Sequence, residues 1–278
     1  MNILYCGDRQ MQDGVLISTL SLLDTVAEPL HVYILTAKIQ TPKKTYEPFS
    51  TQKAAELNGI VQKHDQRSRV TKIDITEQFA SQPPIANMNS LFTPNCMLRL
   101  YADEVAGLPD RILYLDADVI CRRDCSDFYH KNLRNVEMVG VLDHYGKWFF
   151  RNPLKKFSYL NSGVLLLNLK VIRDNGLFAD ARYLCQVHKM FMPDQTALNK
   201  LAAEKEIAPT RFNEQKKLKS DTVFQHFTTS FRFFPWVHTQ TVKPWQIDRM
   251  HTVLKLHEYD DLLDQYQSIK KTFRRSEQ

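Results

Sequence analysis

Ile112-Leu113-Tyr114-Leu115-Asp116-Ala117-Asp118-Val119 runs four apolar residues straight into two carboxylates spaced i, i+2. Residues 111–115 read as a short buried strand, which leaves Asp116 at its carboxyl end. Open α/β sheets bind ligands at the carboxyl ends of their strands, so this position points to a site. Two carboxylates joined by a turn can reach one hard divalent cation, Mg²⁺ or Mn²⁺, whose other positions go to water and phosphate oxygens. An Asp-x-Asp alone is weak, since roughly one chance match is expected in a chain of this size. Its rival reading is two solvated aspartates in a turn.

The flanks give the strand its context. Residues 2–6 read as a strand, 13–24 as a helix with Val15, Ile17, Leu20, Leu22 and Leu23 as its apolar positions, and 30–37 as a second strand. Residues 69–75 alternate as a third. Strand, helix and strand in quick succession predict a mainly parallel sheet. A helix is predicted over 96–106, stopped by Gly107 and Pro109. Beyond the carboxylates, strands are expected at 136–142, 158–168 and 222–227, and helices at 177–190 and 193–203. No repeat, low-complexity segment or Gly/Ser/Pro-rich linker divides the chain, which predicts one α/β body over 1–245 and a small helical extension over 246–278.

That extension has its own character. Tyr259, Leu262, Leu263, Tyr266, Ile269 and Phe273 recur at helical spacing over 258–275, with acids early and Lys270, Lys271, Arg274 and Arg275 late. One reading is a surface helix whose charges complement its macrodipole. The other rests a basic, aromatic end on anionic lipid as a peripheral membrane contact.

The bulk figures are those of an ordinary globular protein: 278 residues, 43% hydrophobic and 24% charged. The net charge of +6 suits phosphorylated substrates or an anionic surface as well as nucleic acid. The bases are dispersed and no nucleic-acid module occurs, so no nucleic-acid partner is expected. Met1 to Cys6 lacks the layout of a signal peptide, and no apolar stretch approaches the roughly 18 residues that span a bilayer. Five scattered cysteines then read as reduced thiols and predict a cytoplasmic protein, peripheral at the inner face of the membrane in the lipid-binding reading. Cys121 and Cys125 have no second Cys/His pair at zinc-finger spacing.

Further motifs accompany the carboxylates. Tyr159-Leu-Asn-Ser-Gly-Val-Leu-Leu-Leu-Asn-Leu169 sets a polar Asn161-Ser162-Gly163 step at the mouth of an apolar strand. Pro193-Asp-Gln-Thr-Ala-Leu-Asn199 opens a helix with acid and amide groups, and Val223-Phe-Gln-His-Phe227 ends a strand in histidine. Val242-Lys-Pro-Trp245 follows after a spacer. In this order the motifs resemble the retaining glycosyltransferases of family 8, which include bacterial lipopolysaccharide galactosyl- and glucosyltransferases and glycogenin. The likeness runs from Asn2 to about Trp245.

The resemblance implies a GT-A type nucleotide-sugar-binding fold and a UDP-glucose or UDP-galactose donor. It also implies a glycan, glycolipid or glycoprotein acceptor, as in bacterial cell-surface polysaccharide synthesis. It assigns Mn²⁺ (or Mg²⁺) to Asp116, Asp118 and His226. His238, nearer Lys243, is the alternative ligand, because residues 228–242 lengthen a spacer that the family keeps short. Cys6, Asp8, Arg99, Asp116, Ala117, Asp118 and Lys243 resemble donor contacts, with Asp8 facing the uracil and Lys243 and Arg99 the diphosphate. For Asp8 the bland reading is a helix cap, for Arg99 a surface charge, and Trp245 reads as a packing residue. Asn161, Asp194 and Gln195 resemble the catalytic group, Gln195 lying under the anomeric carbon. Glutamine is a poor nucleophile, so acceptor attack on the face the diphosphate leaves is expected, with retention. The aromatics of the spacer, Phe231, Phe233, Phe234 and Trp236, are candidates for the acceptor side, a packed lid or a dimer contact.

Rival enzymes lack their loops. A sugar-nucleotide pyrophosphorylase wants a glycine-rich loop that Gly7-Asp8-Arg9-Gln10-Met11 does not provide, and no Gly-x-Gly-x-x-Gly marks a dinucleotide oxidoreductase. A non-catalytic nucleotide-sugar or carbohydrate-binding protein is the alternative of a different class.

Overall fold

Along the first strand, Ile3 and Tyr5 are buried in one apolar cluster, whereas Leu4 and Cys6 are buried in another. Successive strand side chains point to opposite faces, so both faces of the sheet are covered. The same split separates Leu113 and Leu115 from Ile112 and Tyr114, and Val164 and Leu166 from Leu165 and Leu167. A computed structural model describes residues 1–90, 93–146, 158–232 and 238–276. Its strands are β1 (Asn2–Cys6), β2 (His31–Thr36), β3 (Ile39–Gln40), β4 (Thr45–Tyr46), β5 (Arg69–Asp74), β6 (Arg111–Leu115) and β7 (Val119–Cys121). Then come β8 (Met138–Leu142), β9 (Leu160–Asn168), β10 (Lys205–Ile207), β11 (Phe224–His226), β12 (Ser230–Arg232) and β13 (His238–Gln240).

Seven of them form one sheet in the order β10-β8-β9-β6-β1-β2-β5. Every neighbouring pair is parallel except the two that β9 makes with β6 and β8. The fold class is therefore the expected α/β with a mostly parallel sheet. The helix Gln12–Thr25 covers one face, and the helices Leu177–Val187 and Pro193–Leu201 cover the other.

Several elements were not expected, and two of them are long. The helix Thr51–His64 lies in a stretch where none was predicted, capped by the Ser50 hydroxyl and burying Ala54, Leu57 and Val61. The predicted helix over 96–106 is instead a 3₁₀ segment, Pro94–Tyr101, followed by turns. Met97, Leu98, Leu100 and Tyr101 are all buried, so the segment is enclosed by its neighbours.

The last helix, Asp260–Ser276, spends much of its apolar stripe inside the molecule. Tyr259, Leu263 and Tyr266 are buried in the cluster that contains the helix Gln12–Thr25, and Leu262 and Ile269 pack against it. Lys270 Nζ lies 2.6 Å from Asp13 Oδ2 on that helix, which ties the two together. Among the described residues no helix is long and apolar enough to cross a membrane.

Candidate active site

Asp116 continues the sheet one residue past β6, its N–H donating to Gly163 O at 2.8 Å. The chain then turns, Val119 N donating to Asp116 O at 3.1 Å, and enters β7. β7 pairs antiparallel with β11, with Val119 opposite His226, and Phe227 N donates to Asp118 O at 3.0 Å. This register returns the histidine to the two carboxylates. His226 Nε2 lies 3.2 Å from Asp118 Oδ1 and 3.6 Å from Asp116 Oδ2. One ligand atom from each of the three residues lies within 4.8 Å of the others. Gly163 makes room for them: a Cβ there would stand 2.0 Å from His226 Cε1 and 2.8 Å from Asp116 Oδ2.

A chain of hydrogen bonds fixes which nitrogen of His226 faces the carboxylates. Asp143 Oδ2 can only accept, so Asn161 turns its Nδ2 to it at 2.9 Å. Asn161 Oδ1 then accepts from Gly163 N at 3.0 Å and from Asn213 Nδ2 at 2.9 Å. Asn213 is left with its Oδ1 towards His226 Nδ1, 3.2 Å away, so Nδ1 carries the proton. His226 Nε2 consequently points at two carboxylates. Lone pairs converging in this way repel one another unless a proton or a cation lies between them.

Charge gathers around this point. Burial works against the ionised form of Asp118, but the Lys243 ammonium and the His226 imidazole hold its carboxyl well below the usual range. Lys243 Nζ contacts Asp118 Oδ2 and donates to Phe227 O at 2.9 Å. Asp116 Oδ1 accepts from Tyr114 Oη at 2.6 Å and from Arg99 Nη2 at 3.0 Å. Arg99 is only 2% exposed, so it is no surface charge. Its guanidinium stacks over the Tyr114 ring, 3.9 Å from the centroid, and its Nε lies 3.3 Å from Asp194 Oδ2. Burial disfavours that cation, yet Tyr114, Asp194 and Asp116 raise its pKa.

The amide and acid of the helix Pro193–Leu201 face the same floor. Gln195 Oε1 accepts from Ser162 N at 2.9 Å, and its Nε2 donates to Asp143 Oδ2 at 3.2 Å. Ser162 Oγ donates to Asp194 Oδ2 at 3.2 Å. Asn161, Asp194 and Gln195 are thus brought together beside Asp116, and Asp143 and Asn213 join them unforeseen. Asp143 follows β8 as Asp116 follows β6, so the same strand-end reasoning could have found it. Asn213 had no local signal, because its role arises from β9 and β11 meeting.

The remaining predicted residues lie around this centre. Asp8 is buried; its carboxylate accepts from Gln10 N at 2.8 Å, the geometry of a cap, and from the side chain of Asn95, Nδ2 at 2.9 Å. Cys6 ends β1, and burial pushes its thiol pKa up. Ala117 is buried, and its carbonyl lies 2.5 Å from where a Cβ on Gly14 would stand. The Trp245 indole presses on the same point, which makes it a packing residue. β12 and β13 pair antiparallel within 228–242. Phe231 and His238 are described there by their backbones alone, and Phe233, Phe234 and Trp236 lie outside the described residues.

In all, the four carboxylates of Asp116, Asp118, Asp143 and Asp194 face two permanent cations, Arg99 and Lys243. Two carboxylates and an imidazole form a donor set that could hold a hard or borderline divalent ion, and its charge would offset the excess.

The model of glycosyl transferase family 8 matches residues 2–248, and the chain belongs to that family. It is similar to the lipopolysaccharide 1,2-glucosyltransferase of Escherichia coli (strain K12), 28% identical over 233 residues. That match covers 80% of this chain and 64% of the relative, so the chain spans less than two thirds of the relative's length. An active-site mutant of LgtC shares the fold at a TM-score of 0.69 and 18% identity, over 98% of this chain and 96% of that one. The galactosyltransferase LgtC, solved with donor and acceptor sugar analogs, gives 0.66 at 18% identity over 95% and 96%. GlyE of Streptococcus pneumoniae TIGR4 gives 0.62 at 16% identity, over 96% of this chain and 64% of that one. The fold is the GT-A fold.

Proposed function

We propose that this chain is a metal-dependent, retaining hexosyltransferase that moves glucose or galactose from a UDP-sugar to a glycan, glycolipid or glycoprotein acceptor. Family membership supports the transfer. The observation that carries the metal is His226 Nε2 aimed between Asp116 and Asp118, both within 3.6 Å of it. Asp116, Asp118 and His226 are the ligands in this reading, with Mn²⁺ favoured over Mg²⁺ because an imidazole takes part. A divalent ion held there supplies Lewis-acid neutralisation of the charge gathering on a departing diphosphate.

The chain's own residues do the rest. Two of the three Lys243 N–H donors are engaged, by Asp118 and Phe227 O, which leaves one for a diphosphate oxygen. Arg99 acts from behind the site, orienting Asp116 and Asp194. Asp143, Asn161 and Asp194 present polar groups to the sugar hydroxyls. Gln195 is the residue under the anomeric carbon in this reading. Its Oε1 is already an acceptor for Ser162, and an amide oxygen tied in this way is a poor nucleophile. That supports acceptor attack on the face the diphosphate leaves, aided by electrostatic stabilisation of the leaving group. Residues 1–245 form the catalytic unit in this proposal, and 246–278 its helical extension.

A thermal-shift screen of nucleotide sugars with Mn²⁺ identifies the donor, because a ligand that binds only the folded state raises apparent stability. With that donor, Asp116→Ala abolishes Mn²⁺-dependent turnover, Gln195→Ala leaves part of it, and the α-linked donor gives α-linked product. β-Linked product eliminates the front-face mechanism. Full activity of Asp116→Ala in chelator eliminates the metal site, and absence of any donor hydrolysis with Mn²⁺ favours a binding protein.

A further inference from the structure

A second group of metal-ligating side chains lies apart from the candidate active site, between the helices Ile247–Thr252 and Asp260–Ser276. His251 ends a turn of the first helix, Asp260 opens the second, and His257 sits in the loop between them. Lys255, at φ 54°, takes the left-handed conformation that reverses the chain there, and Asp260 N donates to His257 O at 3.1 Å to close the next turn. His251 Nε2 lies 2.7 Å from Asp260 Oδ1, and His257 Nδ1 lies 3.1 Å from Asp260 Oδ2. The two imidazole rings stack, their centroids 4.4 Å apart and their planes inclined by 15°.

An ordinary surface ion pair does not account for this arrangement. One exposed His–Asp pair is worth little, and it gives no reason for a second ring to stack on the first. Were both rings protonated, two cations would lie face to face against a single carboxylate. When the rings are neutral, each has a nitrogen lone pair available as a ligand, and the carboxylate supplies a third donor. The three ligand atoms already lie within 4.8 Å of one another.

We propose that His251, His257 and Asp260 form a second metal site, for a borderline divalent ion of the Zn²⁺ type, with a fourth position open to water. Two imidazoles and one carboxylate select Zn²⁺, Cu²⁺ or Ni²⁺ over Mg²⁺ and Ca²⁺, unlike the acid-rich set around Asp118. The side chains are 32%, 63% and 43% exposed in the order His251, His257, Asp260, so an ion reaches them without opening the core. Its effect is mechanical. Bound there, it ties the last helix to the short helix that follows Lys243 to Trp245, and so fixes the two helices of the extension against each other.

The test uses the full-length chain, stripped of metal and carrying Asp118→Ala to disable the other site, titrated calorimetrically with Zn²⁺ alone. One equivalent binds. Adding His257→Ala weakens that binding by at least the roughly tenfold that loss of an outer-shell partner costs. His257 is exposed, so its replacement leaves the circular dichroism spectrum unchanged. Co²⁺ in place of Zn²⁺ gives visible absorption bands that the same substitution removes. Absence of Zn²⁺ binding in the Asp118→Ala protein, or an affinity untouched by His257→Ala, overturns the proposal. Should Asp118→Ala fail to fold, the wild-type chain reads two equivalents that fall to one with His257→Ala, and an unchanged stoichiometry overturns it equally.

Discussion

The His226 ring must satisfy a nitrogen at each end, and Asn213 takes one of them. Because Asp143, Asn161 and Gly163 leave Asn213 only one orientation, the tautomer of His226 is set by residues that never reach the ion. Asn213→Ala is expected to weaken Mn²⁺ binding by about 10–100-fold while the fold persists, as calorimetry and circular dichroism would read. Asn213→Asp keeps the acceptor for Nδ1 but turns a second oxygen on Asn161 Oδ1, so it should recover only part of the loss, and no recovery at all would count against the tautomer argument. At this scale the sequence was legible where a residue closes an apolar strand, with Asp143 after β8 the one that was passed over. Asp116 and Asp118 follow β6, and His226 ends β11. Asn213 follows only a short 3₁₀ turn and lies beside no strand end in sequence, so its place becomes visible only once the sheets have assembled. For Asp8 the sequence left two readings open: its bond from Gln10 N is that of a cap, while Asn95 Nδ2 reaches its other oxygen from a distant segment.

Two registers bring these side chains together as elements: β7 against β11 carries His226 to Asp118, and β9 against β6 sets Gly163 beside Asp116. The glycine is required by close approach, since an added methyl group overlaps the imidazole. Gly163→Ala should therefore push His226 from the carboxylates and cost about 1–3 kcal/mol of stability, the range for overpacking. Loss of Mn²⁺ affinity with only a small fall in melting temperature is the expected pair of readings; unchanged affinity would mean that the ring is not held against β9. The long apolar strands were plain in the sequence because each is buried on both faces. Thr51–His64 escaped notice because only Ala54, Leu57 and Val61 of its 14 residues are buried, a stripe too sparse to stand out from its polar neighbours. Ser50, with its side chain on Lys53 N, was the available signal.

Over the whole molecule, the extension is part of the same packed unit as the helix Gln12–Thr25. Leu263, only 1% exposed, shares its cluster with Val15, Ile17 and Leu20. Leu263→Ala should cost about 2–5 kcal/mol in urea unfolding, whereas the exposed Lys271→Ala should fall within about 0.5 kcal/mol of wild type. A small effect at Leu263 would instead mean that the helix contributes little to the core. The excess of carboxylates is also a property of the whole arrangement, assembled from the ends of β6 and β8 and the helix Pro193–Leu201. It makes diphosphate binding unfavourable unless a cation is present. The most direct test is calorimetric titration of the metal-stripped protein with UDP, in Mn²⁺ and in chelator. The account predicts binding in Mn²⁺ that is lost in chelator and lost again in Asp118→Ala. UDP binding of equal strength in both solutions would contradict it.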